Sequence, residues 1–191
     1  MTKPNFRDQI LVAGLEALHS RGFNGTSVQD ITDAAGVPKG SFYNHFASKE
    51  DLGAAVVDEY SRRTAKRRAI LADGSLTPMA RIRRYFESMV ASPKYPGAPG
   101  CLLGNFGAEL SNQSPAIRER VSAGFEDWSL MLARVIEEAQ SAGDLRKDIP
   151  AKSTAAFLID AWEGALLRAK VQQSREPLKA FLEMAFARIL V

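Results

Sequence analysis

The chain holds one thiol, Cys101, and two imidazoles, His19 and His45. A thiolate is the nucleophile for alkylation and the entry point to sulfenic acid. Cys101 follows Ser92–Gly100, a run with three prolines and two glycines that must be a loop. It opens the helical pattern Cys101–Leu110, where unpaired amides and the helix dipole favour thiolate. The commoner fate of a lone cysteine is that of a small buried apolar residue, and both readings stand. A thiol enzyme needs a base beside its nucleophile, yet both histidines lie far away in the N-terminal fifty residues, so no catalytic residue is assigned. Neither zinc spacing nor an internal disulfide is available to a single cysteine, and no metal or cofactor is expected.

A second group of side chains suits nucleic acid. Lys39-Gly40-Ser41-Phe42-Tyr43-Asn44-His45-Phe46 puts donors and small residues at the start of a short helix. Phe42 and Phe46, four apart, share its inner face, which turns Tyr43, Asn44 and His45 outward. Ala35-Gly36-Val37-Pro38 joins this helix to a preceding short one carrying Val28, Ile31 and Ala35. That is the length and turn chemistry of a helix-turn-helix, whose second helix enters the DNA major groove.

Elements that position these groups are helical throughout. Phe6, Ile10, Ala13, Ala17 and Leu18 line a first helix that Gly22 stops. Thr26-Ser27-Val28-Gln29 reads as a capping box for the second. The third runs from Pro38 to about Phe46, and Ser48–Asp51 caps a fourth from Leu52 to about Ala72. Pro78 begins a fifth, with Ile82, Phe86 and Met89. A sixth spans about Cys101 to Leu110. Pro115 launches a long seventh, which Gly143 ends. An eighth starts near Pro150, and Glu176-Pro177 opens a ninth. The expected fold is all-α, about nine helices: a three-helix DNA-binding domain at 1–50 and a larger sensing and dimerisation body at 51–191.

Length and composition agree. The 191 residues are 46% hydrophobic and 25% charged, which excludes a disordered or fibrous chain. No run suits a membrane span or a secretion signal, so a cytoplasmic setting and no membrane partner are expected. The net charge of +3 is uneven, with eight basic residues against one acid between Arg62 and Arg84. Such a run is most often a solvated helix face.

Thr26-Ser27-Val28-Gln29-Asp30-Ile31, Ala34-Ala35-Gly36-Val37 and Lys39–Phe46 through Ser48-Lys49-Glu50-Asp51-Leu52 resemble the N-terminal signature of the tetracycline-repressor (TetR/AcrR) family, without a gap over residues 6 to about 56. The resemblance implies a homodimeric, ligand-responsive repressor on a roughly palindromic double-stranded operator. By position it makes Lys39, Gly40 and Ser41 candidates for base contact. Tyr43 and His45 match positions that touch phosphate or base, and Lys49 matches a phosphate contact. Thr26 and Ser27 would meet phosphate through hydroxyl and backbone N–H, with capping as the alternative role for Thr26.

Pro99-Gly100-Cys101-Leu102-Leu103, Ala108-Glu109-Leu110, Leu167–Lys170 and Ser174–Leu178 further resemble the branch of that family that responds to electrophiles and oxidants. Cys101 is then the expected sensor. Lys170 is either its partner or a surface lysine. Phe86, Met89, Phe106, Trp128 and Trp162 are core or ligand pocket. The eighth and ninth helices are apolar over broad faces, so Leu158, Leu166, Leu178, Phe181, Leu182, Ala185 and Ile189 are expected at the dimer interface. The competing readings are a repressor released by a reversible lipophilic ligand, a thiol enzyme, and a helical interaction module without DNA binding.

Overall fold

The computed structural model describes residues 5–91 and 97–191. Its α-helices are α1 (Phe6–Arg21), α2 (Val28–Ala35), α3 (Lys39–Tyr43), α4 (Lys49–Arg68), α5 (Pro78–Val90), α6 (Leu102–Leu110), α7 (Pro115–Ala142), α8 (Ala151–Gln172) and α9 (Glu176–Met184). A 3-10 turn, Ala69–Ala72, continues α4, and a π-turn, Ala185–Ile189, continues α9. No strand occurs among the described residues, and the fold is all-α.

Local chemistry sets the ends. The Asn5 side chain accepts the Arg7 amide at the start of α1, and Thr77 accepts the Ala80 amide at the start of α5, just before Pro78. α2 stops because Gly36 enters the left-handed region at φ 66°, which costs glycine nothing. Several boundaries differ from expectation. The capping box sits one residue later, on Ser27 and Asp30. α3 has only five residues, because the His45 and Phe46 amides both turn back to the Phe42 carbonyl (3.0 and 2.9 Å) and swing Phe46 into the core. α4 starts at Lys49 rather than Leu52, with Ser48 accepting the Asp51 amide. Cys101 is the N-cap of α6 rather than its first turn, and Phe6 is exposed rather than facing a core. Of the Pro/Gly loop, Ser92–Pro96 lies outside the described residues, while Gly97–Gly100 is non-helical.

The chain forms two compact units. The first comprises Met1–Arg63 with Cys101–Gly124. Ile10, Leu18, Ile31, Phe42, Leu52, Leu102, Phe106, Leu110 and Ile117 are among its fully covered side chains. Phe42 meets Phe46 at 5.7 Å, and Phe23 meets Phe106 edge-on at 6.0 Å. Burying each such ring is worth roughly 1.5–3 kcal/mol.

The second unit comprises Thr64–Gly100 with Phe125–Val191. Phe86, Trp162 and Phe181 form a three-ring core with centroids 5.0–5.7 Å apart. The guanidinium of buried Arg81 donates to the Leu71 carbonyl (3.0 Å) and to Glu138. A groove of about 330 Å³ runs along α8 and α9, lined by Phe157, Ala161, Ala165, Ala180 and Met184 among others. Most side chains expected at a dimer interface are already buried within the chain itself: Leu158, Leu166, Leu178, Phe181 and Ala185. Leu182 and Ile189 are half-buried. The large apolar side chains open on these helices are instead Phe157, Leu167, Val171 and Met184.

Candidate nucleic-acid interface and thiol site

Both groups of chemistry-bearing side chains fall in the first unit. α2 is anchored by buried Ile31 and by Thr32, whose hydroxyl donates to Val28 and Gln29 carbonyls. The Val37 amide returns to the Thr32 carbonyl (3.1 Å), closing the turn before α3. Phe42 points inward with no exposed surface. Lys39, Gly40, Tyr43, Asn44 and His45 are exposed, and Ser41 is half-buried. A Cβ on Gly40 would meet nothing within 4 Å, so another molecule can approach the backbone there. Tyr43 is 58% exposed, with its ring braced edge-on against Phe42 at 5.2 Å. One face thus offers an ammonium, hydroxyls, an amide and an imidazole, the inventory that reads base edges and phosphates.

At the start of α2 the exposed Ser27 hydroxyl accepts the Asp30 amide (3.1 Å), and its amide and hydroxyl both donate to the Asp30 carboxylate (2.7 and 2.6 Å). These bonds, with Arg21 adding a weaker attraction, hold the Asp30 carboxyl below its ordinary range. Two expected phosphate contacts are otherwise engaged. Thr26 is 1% exposed, and its hydroxyl donates to the Gly22 carbonyl (2.8 Å), so it is not offered to an outside anion. Lys49 donates to the Phe23 and Thr26 carbonyls (3.1 and 3.0 Å) and lies 4.3 Å from the Phe23 ring centroid.

Cys101 is 7% exposed, with extended backbone at the N-cap of α6. The Tyr60 hydroxyl donates to its Sγ at 3.7 Å, and the Tyr60 ring stands edge-on to His19 at 5.4 Å. Tyr60 and His19 lie on α4 and α1, far from Cys101 in the chain, so no local sequence pattern points to them at this site. Next to Tyr60, Glu59 takes bonds from Arg62 and Arg63, the Arg62 bond foremost, and its pKa falls to about 2. Lys170 is exposed near the end of α8, in the second unit.

The five aromatic and thioether candidates divide as well. Phe106 packs on Phe23 in the first unit. Phe86, Met89, Trp128 and Trp162 are buried in the second. The Trp128 ring stacks on Phe125, and its buried indole N–H meets no acceptor among the described residues. Also among those residues, no three His, Cys, Asp or Glu side chains gather as metal ligands, and no helix is long and apolar enough to cross a membrane.

Residues 10–56 match the family of bacterial regulatory proteins named for TetR, and residues 78–185 match the tetracyclin repressor-like C-terminal domain. The chain belongs to the TetR family. This TetR-family protein is 39% identical to the HTH-type transcriptional repressor DhaR of Mycobacterium sp. (strain GP1), over 100% of its own length and 95% of DhaR. It is 29% identical to the transcriptional repressor NemR of Escherichia coli K12, over 93% and 90% of the two chains. A crystal structure of NemR in its reduced form superposes with a TM-score of 0.85, covering 96% of this chain and 94% of NemR. The crystal structure of a TetR regulatory protein from Rhodobacter sphaeroides gives 0.88 at 34% identity, covering 96% and 98%. This TetR-family member is therefore a transcriptional repressor that binds operator DNA, and not an enzyme.

Proposed function

We propose that this repressor acts as a homodimer released from its operator when an electrophile or oxidant modifies Cys101. The observation that carries this reading is the place of the chain's one thiol: at the N-cap of α6, beside Tyr60, in the same compact unit as α3. The 29% likeness to NemR, solved in a form named as reduced, supports it. An activated alkene adds at sulfur, forming the S–C bond while the thiol proton passes to the neighbouring carbon. Adding such bulk to a site 7% exposed costs about 1–3 kcal/mol of packing strain. Each ~1.4 kcal/mol that falls on the operator-bound conformation alone weakens binding tenfold, and strain shared equally by both conformations changes nothing.

In this proposal residues 1–50 read the operator, with Ser27, Lys39, Gly40, Ser41, Tyr43, Asn44 and His45 facing it. Residues 51–191 sense and dimerise, through the open apolar side chains of α8 and α9. Two-fold symmetry then requires half-sites about one helical turn, ~34 Å, or a multiple of it apart. Cys101→Ser keeps the size and removes the nucleophile, so that variant is expected to bind operator normally and to stay bound when a maleimide or hypochlorite is added. Its release at the wild-type dose, followed by gel shift, refutes the sensor role. A second reading, release by a reversible apolar ligand in the second unit, is favoured by the orphaned Trp128 indole N–H, since buried donors ordinarily find an acceptor.

A further inference from the structure

The segment from Gly22 to Thr26, which leads into the Ser27 cap of α2, is gripped by two side chains of opposite charge. The Phe23 and Asn24 amides donate to the two oxygens of the Glu109 carboxylate at 2.9 and 2.6 Å. The Phe23 and Thr26 carbonyls accept from the Lys49 ammonium. Glu109 stands in the last turn of α6, one turn after Phe106, which packs on the Phe23 ring. Gly22, the C-cap that follows α1, has φ +82°, and a Cβ there would come within 3.2 Å of the Glu109 carboxylate, so the chain carries no side chain where the acceptor sits. An exposed amide such as that of Asn24 can be satisfied by water. A charged acceptor supplied from 85 residues away does more, because it ties this loop to one rigid helix.

We propose that Glu109 is a positioning residue for operator binding. Its carboxylate fixes the start of α2, and with it the reading helix, to α6, while touching no DNA itself. Cys101 occupies the N-cap position at the other end of the same nine-residue helix. A displacement at Cys101 is carried along α6 to Phe106 and Glu109 together, and this last step rests on the sensor reading above.

The test uses the full chain with Glu109→Ala and Glu109→Gln. Hydrogen exchange at the Phe23 and Asn24 amides should quicken at least ~10-fold in Glu109→Ala, and operator Kd should rise about tenfold, with helix content unchanged. Glu109→Gln keeps one acceptor oxygen without the charge, so a smaller loss of about threefold is expected. Faster exchange with wild-type operator affinity overturns the proposal, as does unchanged exchange. Should Glu109→Ala not fold, Glu109→Gln decides on the same two readouts. A wild-type repressor that a maleimide cannot release sinks the Cys101 reading and leaves the Glu109 result standing. Maleimide release with no Glu109 effect does the reverse.

Discussion

Glu59 and its two arginines show how little of a strong-looking ion pair reaches stability. The Glu59 carboxyl lies at about 2 in the folded protein against an ordinary 4.5, and the side chains of its partners Arg62 and Arg63 are 71% and 41% exposed. A carboxyl depressed by folding contributes stability that is full above ~4.5 and is lost as pH falls towards 2. Screening by solvent limits that contribution to about 1 kcal/mol. Glu59→Gln should therefore be less stable than wild type at pH 6 and nearly equal to it at pH 2, as measured by urea denaturation. Equal stability at both pH values would contradict the assignment. At this scale some functional side chains were legible and others were not. Phe42 inward and Tyr43 outward follow from helical spacing alone, as found. Glu109 accepting amides near residue 23, or Tyr60 reaching Cys101, depends on which helices fold back on one another. No local pattern encodes that.

Helix ends show the same limit at the scale of elements. Thr26 and Ser27 both stand three residues before a possible capping partner, Gln29 and Asp30 respectively. Burial decides between them: the Thr26 hydroxyl is turned in towards the Gly22 carbonyl, leaving Ser27 to cap. Ser27→Ala should cost about 1 kcal/mol, read by thermal or urea unfolding, because it orphans the Asp30 amide. Thr26→Ser, which keeps the inward hydroxyl, should cost less; the opposite ranking would place the cap back on Thr26. Elements themselves were legible because apolar residues recur at helical spacing and glycine or proline marks most breaks. The early end of α3 was not, since the His45 and Phe46 amides choose the Phe42 carbonyl only once Phe46 has a core to enter.

At the scale of the whole molecule, the apolar surface of α8 and α9 is the feature that asks for a partner. Phe157 is 54% and Met184 59% exposed beside an apolar groove. Phe157→Glu should give monomer in sedimentation, because an unpaired charge enclosed in an interface costs several kcal/mol. If the wild type sediments as the proposed homodimer and a soluble variant does so too, the interface lies elsewhere. The first unit carries a different consequence. Its reading helices and its α6–α7 segment are separated by more than thirty residues of chain that belong to the other unit. A head grafted from a related repressor by swapping the first fifty residues alone would arrive without the Phe106 and Glu109 it was shaped against. Recombination between relatives is therefore expected to keep more operator affinity when both stretches travel together than when the first fifty residues move alone, as a gel shift of the two chimeras would show.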